Sequence, residues 1–415
     1  MNSRPTSRSP AMGFIMATVL IDMISVGLII PVLPQLVGGF AQSPGEQIAA
    51  YGTVATAFAI VNFLSSPVLG ALSDRFGRRP VLLMGFTGLA CSFFITAIAT
   101  QLWMLVVVRL FSGAMNANAA VANAYVADIT PPEQRGRRYG LLGAMFGLGF
   151  ILGPVIGGIL GGRYGLRAPF FAAGALAVCN GLYGFFVLPE SLPSDRRRAF
   201  SWARVNPVAS LMHLFELKGI GALLIVIALG SLAQFMLHTT WALYTGHKFG
   251  WNPEQIGYSL LAVGVMSVLG QGLLAGPFTK WLGAPRLMVA GMLSSGLCYL
   301  AWGLASQGWE MYAAIFANVV GFAAGAAGQT VIANAADPKS QGQTMGAVTG
   351  LSSLMMVIAP ILGPRLLQPF ADLPPTDWRV GMPYYLGGAL LLAAAALASV
   401  HFARLRRAPA AAAAS

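Results

Sequence analysis

Gly70-Ala-Leu-Ser-Asp74-Arg75-Phe-Gly77-Arg78-Arg79-Pro80 sets one carboxylate among three guanidinium groups in a short segment with two glycines. Apolar runs flank it at about 49–72 and 80–99. Each is long enough to cross a bilayer as a helix, which takes about 20 apolar residues. The stretch therefore connects two adjacent spans, and its charge assigns it to a water-facing surface.

Outward from this loop the same alternation continues through all 415 residues. Hydrophobic residues make up 56% and charged residues 9%, and mean hydropathy is +0.70. That combination excludes an ordinary soluble protein. Twelve apolar runs fall at about 11–35, 49–72, 80–99, 102–127, 138–161, 168–188, 219–245, 255–278, 286–306, 309–333, 344–368 and 382–403. Twelve spans use about 240 positions, which leaves no room for a large soluble domain. The 50 Gly and 25 Pro would break most soluble helices, but small residues let helices approach closely inside a membrane bundle. The expected class is an all-α polytopic membrane protein. Arg4 and Arg8 precede the first run as they would in a signal peptide, yet the run continues past Pro31 with no A-x-A site, so a retained span is expected. Cys91, Cys179 and Cys298 lie far apart without a CxxC pair, which predicts neither a disulfide nor a metal site.

The net charge of +12 is explained by where the cations lie. With both termini cytoplasmic, 19 of the 25 Lys and Arg fall on the cytoplasmic side, five on the opposite side, and Arg109 inside a span. The positive-inside rule fixes that orientation and removes any need for a nucleic-acid partner. An offset of 206 superimposes Gly70, Gly77, Gly136, Gly140, Pro154 and Gly157 on Gly276, Gly283, Gly342, Gly346, Pro360 and Gly363. This self-similarity predicts six plus six spans. The expected domains are a first bundle at 1–188, a cytoplasmic linker at 189–218, a second bundle at 219–405 and a disordered tail at 406–415. An interfacial helix is expected in the linker around Leu211 to Leu217.

Further motifs accompany the loop. Span 5 carries Gly149-Phe-Ile-Leu-Gly153-Pro154-Val-Ile-Gly157-Gly158, span 1 carries Asp22-Met-Ile-Ser-Val-Gly27-Leu-Ile-Ile-Pro31-Val-Leu-Pro34, span 4 carries Arg109-Leu-Phe-Ser-Gly113, and Ala127-Asp128-Ile-Thr-Pro follows. The loop resembles the cytoplasmic signature G-x-x-x-D-R-x-G-R-R-P of the major facilitator superfamily. The span-5 stretch resembles the motif of that superfamily's proton-coupled antiporters. Together they look most like the drug/proton antiporters around the tetracycline exporters, over nearly the whole chain and best in its first half. The resemblance implies twelve transmembrane helices in two pseudo-symmetric six-helix bundles, a monomer, and residence in the bacterial inner membrane. It also places the loop as a latch against span 11 when the transporter faces outward.

Gly70, Asp74, Arg75, Gly77, Arg78, Arg79 and Asp128 are the expected latch. Asp74 can pair with Arg78 or cap a helix end, and Arg78 or Arg79 can reach Asp128; a purely topogenic loop is the alternative. Gly149, Gly153, Gly157 and Gly161 recur every four residues and form a groove for close helix packing, while Pro154 invites a bend. Gly147-x-Gly149 is no dinucleotide loop, because that fingerprint follows a strand.

Two charges lie deep within spans. Asp22 is roughly 16 Å along span 1 from its cytoplasmic end, and Arg109 is roughly 10 Å into span 4 from the outer side. They therefore reach similar levels of a core about 30 Å thick. Ionisable residues inside a membrane are functional candidates by default, so Asp22 and Arg109 are expected to couple protons, with a structural ion pair as the alternative. Desolvation favours a neutral carboxyl and a nearby guanidinium favours the carboxylate, so opening and closing of a cavity would move a proton. Among the other polar and aromatic span residues, Asn62, Asn116, Gln234, Phe235, His238, Trp241, Gln271 and Gln329 are expected to contact substrate; Asn118 and Tyr299 complete the set. An apolar cavity with a few hydrogen-bonding groups suits an amphipathic organic solute. His238 has no nearby carboxylates and makes no metal site.

The expected function is export of amphipathic drug-like compounds in exchange for protons, by alternating access. A proton-coupled importer of a small metabolite shares the fold, and a receptor is the remaining alternative. The chain contains no H-E-x-x-H, no G-x-S-x-G and no Walker loop, so neither an enzyme nor a cofactor is expected. One departure concerns substrate. The tetracycline exporters carry further carboxylates in spans 3 and 9 and a His one turn before the Gln of span 8, where counting places Ser92, Ser295 and Ser267 here.

Overall fold

The two glycines that the 206-residue offset pairs at the loop, Gly77 and Gly283, adopt the same backbone conformation. Their φ and ψ are 107° and 160°, and 76° and 151°, and each stands immediately before a helix. Positive φ is strained for a side chain bearing Cβ, so glycine at both sites lets the chain reverse between spans. The geometry comes from a computed structural model that describes residues 9–116, 118–200, 221–335 and 341–412, and every regular element among them is helical.

In chain order the helices are α1 (Ser9–Leu28), α2 (Leu33–Gly38), α3 (Pro44–Phe76), α4 (Arg78–Ile98), α5 (Leu102–Met115), α6 (Asn118–Ile129), α7 (Arg135–Tyr164) and α8 (Ala168–Val187). After the linker come α9 (Gly221–Phe249), α10 (Pro253–Val268), α11 (Ala275–Leu282), α12 (Ala284–Leu304), α13 (Gly308–Ala317), α14 (Val319–Ala335), α15 (Gln341–Leu367) and α16 (Met382–Ala412). Among the described residues eleven spans are long and apolar enough to cross a membrane, and the bent pair α13 and α14, taken as one span, makes a twelfth.

Three spans expected to be continuous are broken. In span 1, Pro31 has no amide hydrogen to donate, and Val32 and Leu33 both bond back to Ile29 before α2 begins. Span 4 stops at Met115, where Asn116 caps α5 at φ −89° and ψ 69°, and resumes as α6 at Asn118. Span 10 bends by 47° between Ala317 and Val319, at Asn318. Asn has a lower helix propensity than Ala, and an Asn stands at both later breaks. Hydropathy is blind to them because apolar residues continue on either side. Span 8 holds a π-helical turn, Leu269–Leu274, between α10 and α11. By contrast, α7 runs unbroken through Pro154.

The final helix extends to Ala412, through the positions expected as a disordered tail from 406. Alanine is the best helix former, and the end of this chain is Ala-rich. The linker helix expected around Leu211 to Leu217 lies outside the described residues. The chain divides into two compact units, one of Met1–Ala41, Thr53–Asn206 and Asn252–Leu261, the other of Gln42–Gly52, Pro207–Trp251 and Ala262–Ser415. Division at 188 and 219 misses the two short segments. Residues 252–261 join the first unit because a Cβ on Gly158 would lie 2.5 Å from the Pro253 carbonyl, and one on Gly257 would lie 2.6 Å from that of Pro154. The first unit's core joins Met12, Ile15 and Val19 of α1 to Leu82 and Phe86 of α4, Tyr125 of α6 and Leu142 of α7.

Candidate functional site

The loop residues converge on Arg78, which is 8% exposed despite its charge. Its guanidinium contacts Asp74 Oδ1 at 2.6 Å and Ser73 Oγ at 2.6 Å through Nη1, and Asp128 Oδ2 at 3.0 Å through Nε. Two carboxylates thus offset one desolvated cation, as a buried charge requires. Ser191 Oγ also donates to Asp128 Oδ2 at 3.1 Å. Arg79 points elsewhere: its Nη2 donates to the Phe185 carbonyl and its guanidinium lies 5.7 Å from the Phe185 ring centroid. Arg75 lies over the Phe76 ring at 5.1 Å, and Gly70 has open space around it.

Glu190 belongs to this cluster although it lies in no motif. Its carboxylate accepts from the backbone N–H groups of Arg78 at 2.9 Å, Arg79 at 3.2 Å and Leu192 at 3.0 Å. The first turn of α4 has free N–H groups, and Gly77 offers no side chain to cap them. Glu190 supplies the missing acceptor from beyond α8, and its negative charge suits the positive end of the helix. The available signal was a lone acid directly after an apolar span.

The glycines of α7 pack α1 backbone to backbone. A Cβ on Gly149 would lie 2.5 Å from Met23 Cβ, one on Gly153 2.6 Å from Gly27 Cα, and one on Gly157 would strike the Leu28 carbonyl. The contact is reciprocal: a Cβ on Gly27 would lie 2.9 Å from both Gly153 Cα and Pro154 Cδ. These contacts hold the segment of α1 that bears Asp22.

Asp22 is 4% exposed, and no other Asp or Glu among the described residues is buried to that degree. Its Oδ1 accepts from Asn118 Nδ2 at 3.0 Å. Asn118 is the first residue of α6, at the break in span 4, and is itself 5% exposed. Arg109 is 8% exposed on α5, on the other side of the same break. The contact described for Asp22 is therefore the Asn118 amide, a residue the sequence placed among the polar set without a role. Asn116 stands at the break itself, and Asn62 of α3 lies beside it in the packing, its backbone nitrogen 3.2 Å from where a Cβ on Gly113 would sit.

In the second unit the predicted contacts separate into two kinds. Gln234 and His238 are exposed and share a hydrogen bond of 2.9 Å one turn apart on α9, with the Phe235 ring 6.3 Å from the His238 ring. Gln271 is exposed on the π turn, where its Nε2 donates to Ser267 Oγ at 2.6 Å, and Gln329 is exposed one turn beyond Gly325, the α14 residue that faces Gln271. Trp241, expected to contact substrate, is instead 3% exposed and packed edge-on against Trp302 at 5.0 Å and Tyr384 at 6.5 Å. Its ring completes an aromatic core with Tyr244 and Tyr299, because α9, α12 and α16 meet there. Asn318, at the second break, accepts from Ser294 Oγ at 2.9 Å and Ser295 Oγ at 3.3 Å. Among the described residues no group of three or more His, Cys, Asp or Glu is placed to hold a metal.

The profile described as Major Facilitator Superfamily matches residues 15–325 and 223–415. The tetracycline resistance protein, class C, of Escherichia coli is 36% identical over 383 residues, covering 91% of this chain and 93% of the relative. The class D tetracycline resistance protein of Salmonella ordonez is 32% identical over 378 residues, covering 90% and 93%. Among solved structures, the human organic anion transporter MFSD10 aligns with a TM-score of 0.68 and 21% identity over 95% of this chain and 100% of that one. The nucleoside transporter NupG aligns with a TM-score of 0.74 and 14% identity over 94% and 99%.

Proposed function

Because the chain belongs to the Major Facilitator Superfamily, we propose that it exports amphipathic organic compounds in exchange for protons, with Asp22 as the group that carries the proton. It is a multi-pass membrane transporter, not an enzyme. The observation that carries the proton reading is the burial of Asp22, a lone carboxyl in an apolar span held by a neutral amide. Placing an ionised carboxylate in such a site is costly, so its charge state is tied to whether water reaches it. Arg109 is the second charge buried within the spans of this unit, on α5 beyond the same helix break, and is the residue we assign with Asp22 to proton coupling.

The tetracycline resistance relatives support drug export as the direction of transport. The charge distribution supports cytoplasmic termini in a bacterial inner membrane, with the Arg78 cluster on the cytoplasmic side. In that setting the Asp74–Arg78–Asp128 pairs, which join α3, α4 and α6, and the Glu190 cap act as the conformational latch. Gln234, His238, Gln271 and Gln329 offer hydrogen bonds to an otherwise apolar solute.

The test is a substrate screen in proteoliposomes with an imposed pH gradient and an internal pH dye. Uptake of amphipathic compounds into inside-out vesicles, matched by proton release, is the expected result. Solute movement with no proton flux, or no movement of any amphiphile, would refute the proposal.

A further inference from the structure

Two fully buried polar atoms lack a protein partner among the described residues: Thr18 Oγ1, one helical turn before Asp22 on α1, and Asn180 Oδ1 on α8. They belong to one junction, because Asn180 Nδ2 donates to the Thr18 backbone carbonyl at 2.9 Å. That bond fixes the amide's orientation, since turning it over would set two oxygens against each other. The Thr18 hydroxyl is equally distinctive. Thr87, Thr96, Thr239, Thr240 and Thr245 each donate to the carbonyl four residues earlier, at 2.8 or 2.9 Å. Thr18 makes no such bond, and leaving a buried hydroxyl and a buried amide oxygen unmatched side by side is costly.

Thr18 and Asp22 are four residues apart and share a face of α1. Thr18 therefore lies one turn from the acid on the same face, and the Asn180 amide bonded to its carbonyl brings the second orphan atom to the seam where α1 packs on α8. We propose that Thr18 and Asn180 hold an ordered water that takes the proton from Asp22 and passes it along the α1–α8 seam, apart from the route of the organic solute. This rests on the reading of Asp22 as proton carrier. Two acceptors, Thr18 Oγ1 and Asn180 Oδ1, engage both hydrogens of one water and leave its lone pairs open to Asp22, giving it the polar partners a buried water needs. In the transfer, the O–H bond of the neutral Asp22 carboxyl breaks and a new O–H bond forms on the water. Asp22 is left as a carboxylate accepting from Asn118. The water then releases one of its other protons to the next water along the seam and returns to neutrality, so one proton has moved. Tyr183, one turn further along α8 with its ring 5.9 Å from that of Phe14, carries the next hydroxyl in that direction.

The test follows Asp22 directly, using the full-length chain in proteoliposomes, a rapid pH jump and time-resolved infrared difference spectra in H2O and D2O. The carboxyl band lost in Asp22→Asn identifies the acid. Thr18→Val keeps the side-chain shape and removes the acceptor, and Asn180→Leu removes the other. The expected result is deprotonation at least about ten-fold slower in each, a wild-type rate in Thr18→Ser, and an unchanged titration midpoint. Wild-type rates in both Thr18→Val and Asn180→Leu, or a shifted midpoint at an unchanged rate, would overturn the relay while leaving Asp22 as carrier. Absence of any band sensitive to Asp22→Asn would overturn the proton-carrier reading and the relay with it.

Discussion

Glu190 accepts the backbone N–H of Arg78 at 2.9 Å across 112 positions of sequence. The bond ties the segment after α8 to the first turn of α4, at the position where Gly77 leaves that helix uncapped. Hydrogen bonds to a charged group contribute about 1.5–3 kcal/mol each when not fully exposed. Glu190→Ala is therefore expected to lower stability by about 2 kcal/mol, read as earlier thermal unfolding in detergent, and to slow turnover more than it weakens solute binding. An unfolding curve that overlays the wild type would remove Glu190 from the latch.

Asp22→Asn keeps the shape of the side chain and cannot titrate. Gradient-driven transport should vanish while solute binding persists, because Asn118 can still hydrogen-bond the amide. Active transport with a normal pH dependence in this variant would show that another group carries the proton.

Two glycines on α7 give opposite expectations. A Cβ on Gly153 would approach Gly27 Cα to 2.6 Å and the Ile24 carbonyl to 2.8 Å, backbone atoms that cannot step aside. Gly147 has nothing within 4 Å. Gly153→Ala should force α1 and α7 apart and cut transport at least about ten-fold, since overpacking of this kind costs about 1–3 kcal/mol. Gly147→Ala should be neutral or slightly stabilising, because Ala is preferred to Gly in a helix. Equal activity of the two variants would argue against the α1–α7 seam as a functional element.

A Mg²⁺-bound tetracycline benefits from anionic oxygen ligands, since hard cations prefer them. Ser92, Ser295 and Ser267 are the residues that counting along the chain sets at the positions where the resemblance to the tetracycline exporters implies acids or a His. Ser92 is 1% exposed, Ser295 donates to Asn318, and Ser267 accepts from Gln271. Little Mg²⁺-dependent tetracycline uptake into inverted vesicles is expected, with uncharged or weakly cationic amphiphiles carried instead. Strong uptake would assign tetracycline binding to groups such as His238 or Gln271.

Class, span number, family and the deep charges Asp22 and Arg109 could all be read along the chain. Each of these rests on a property that survives in one dimension: apolar run length, the spacing of Gly70 to Pro80, and the cost of an acid inside a span. The charges of the loop were legible as a cluster, but whether Asp74 pairs with Arg78 or caps a helix, and whether Arg78 or Arg79 reaches Asp128, is open until the fold places Arg78 against both acids. The tertiary structure alone decided which groups meet across distant segments. Asn118 reaches Asp22 only because span 4 breaks beside it, Glu190 caps α4 only because α8 returns to the same end, and Trp241 enters an aromatic core only because three helices converge there. Hydropathy averages over such sites, and a hydrogen bond between residues 96 or 112 positions apart leaves no periodic trace in the chain.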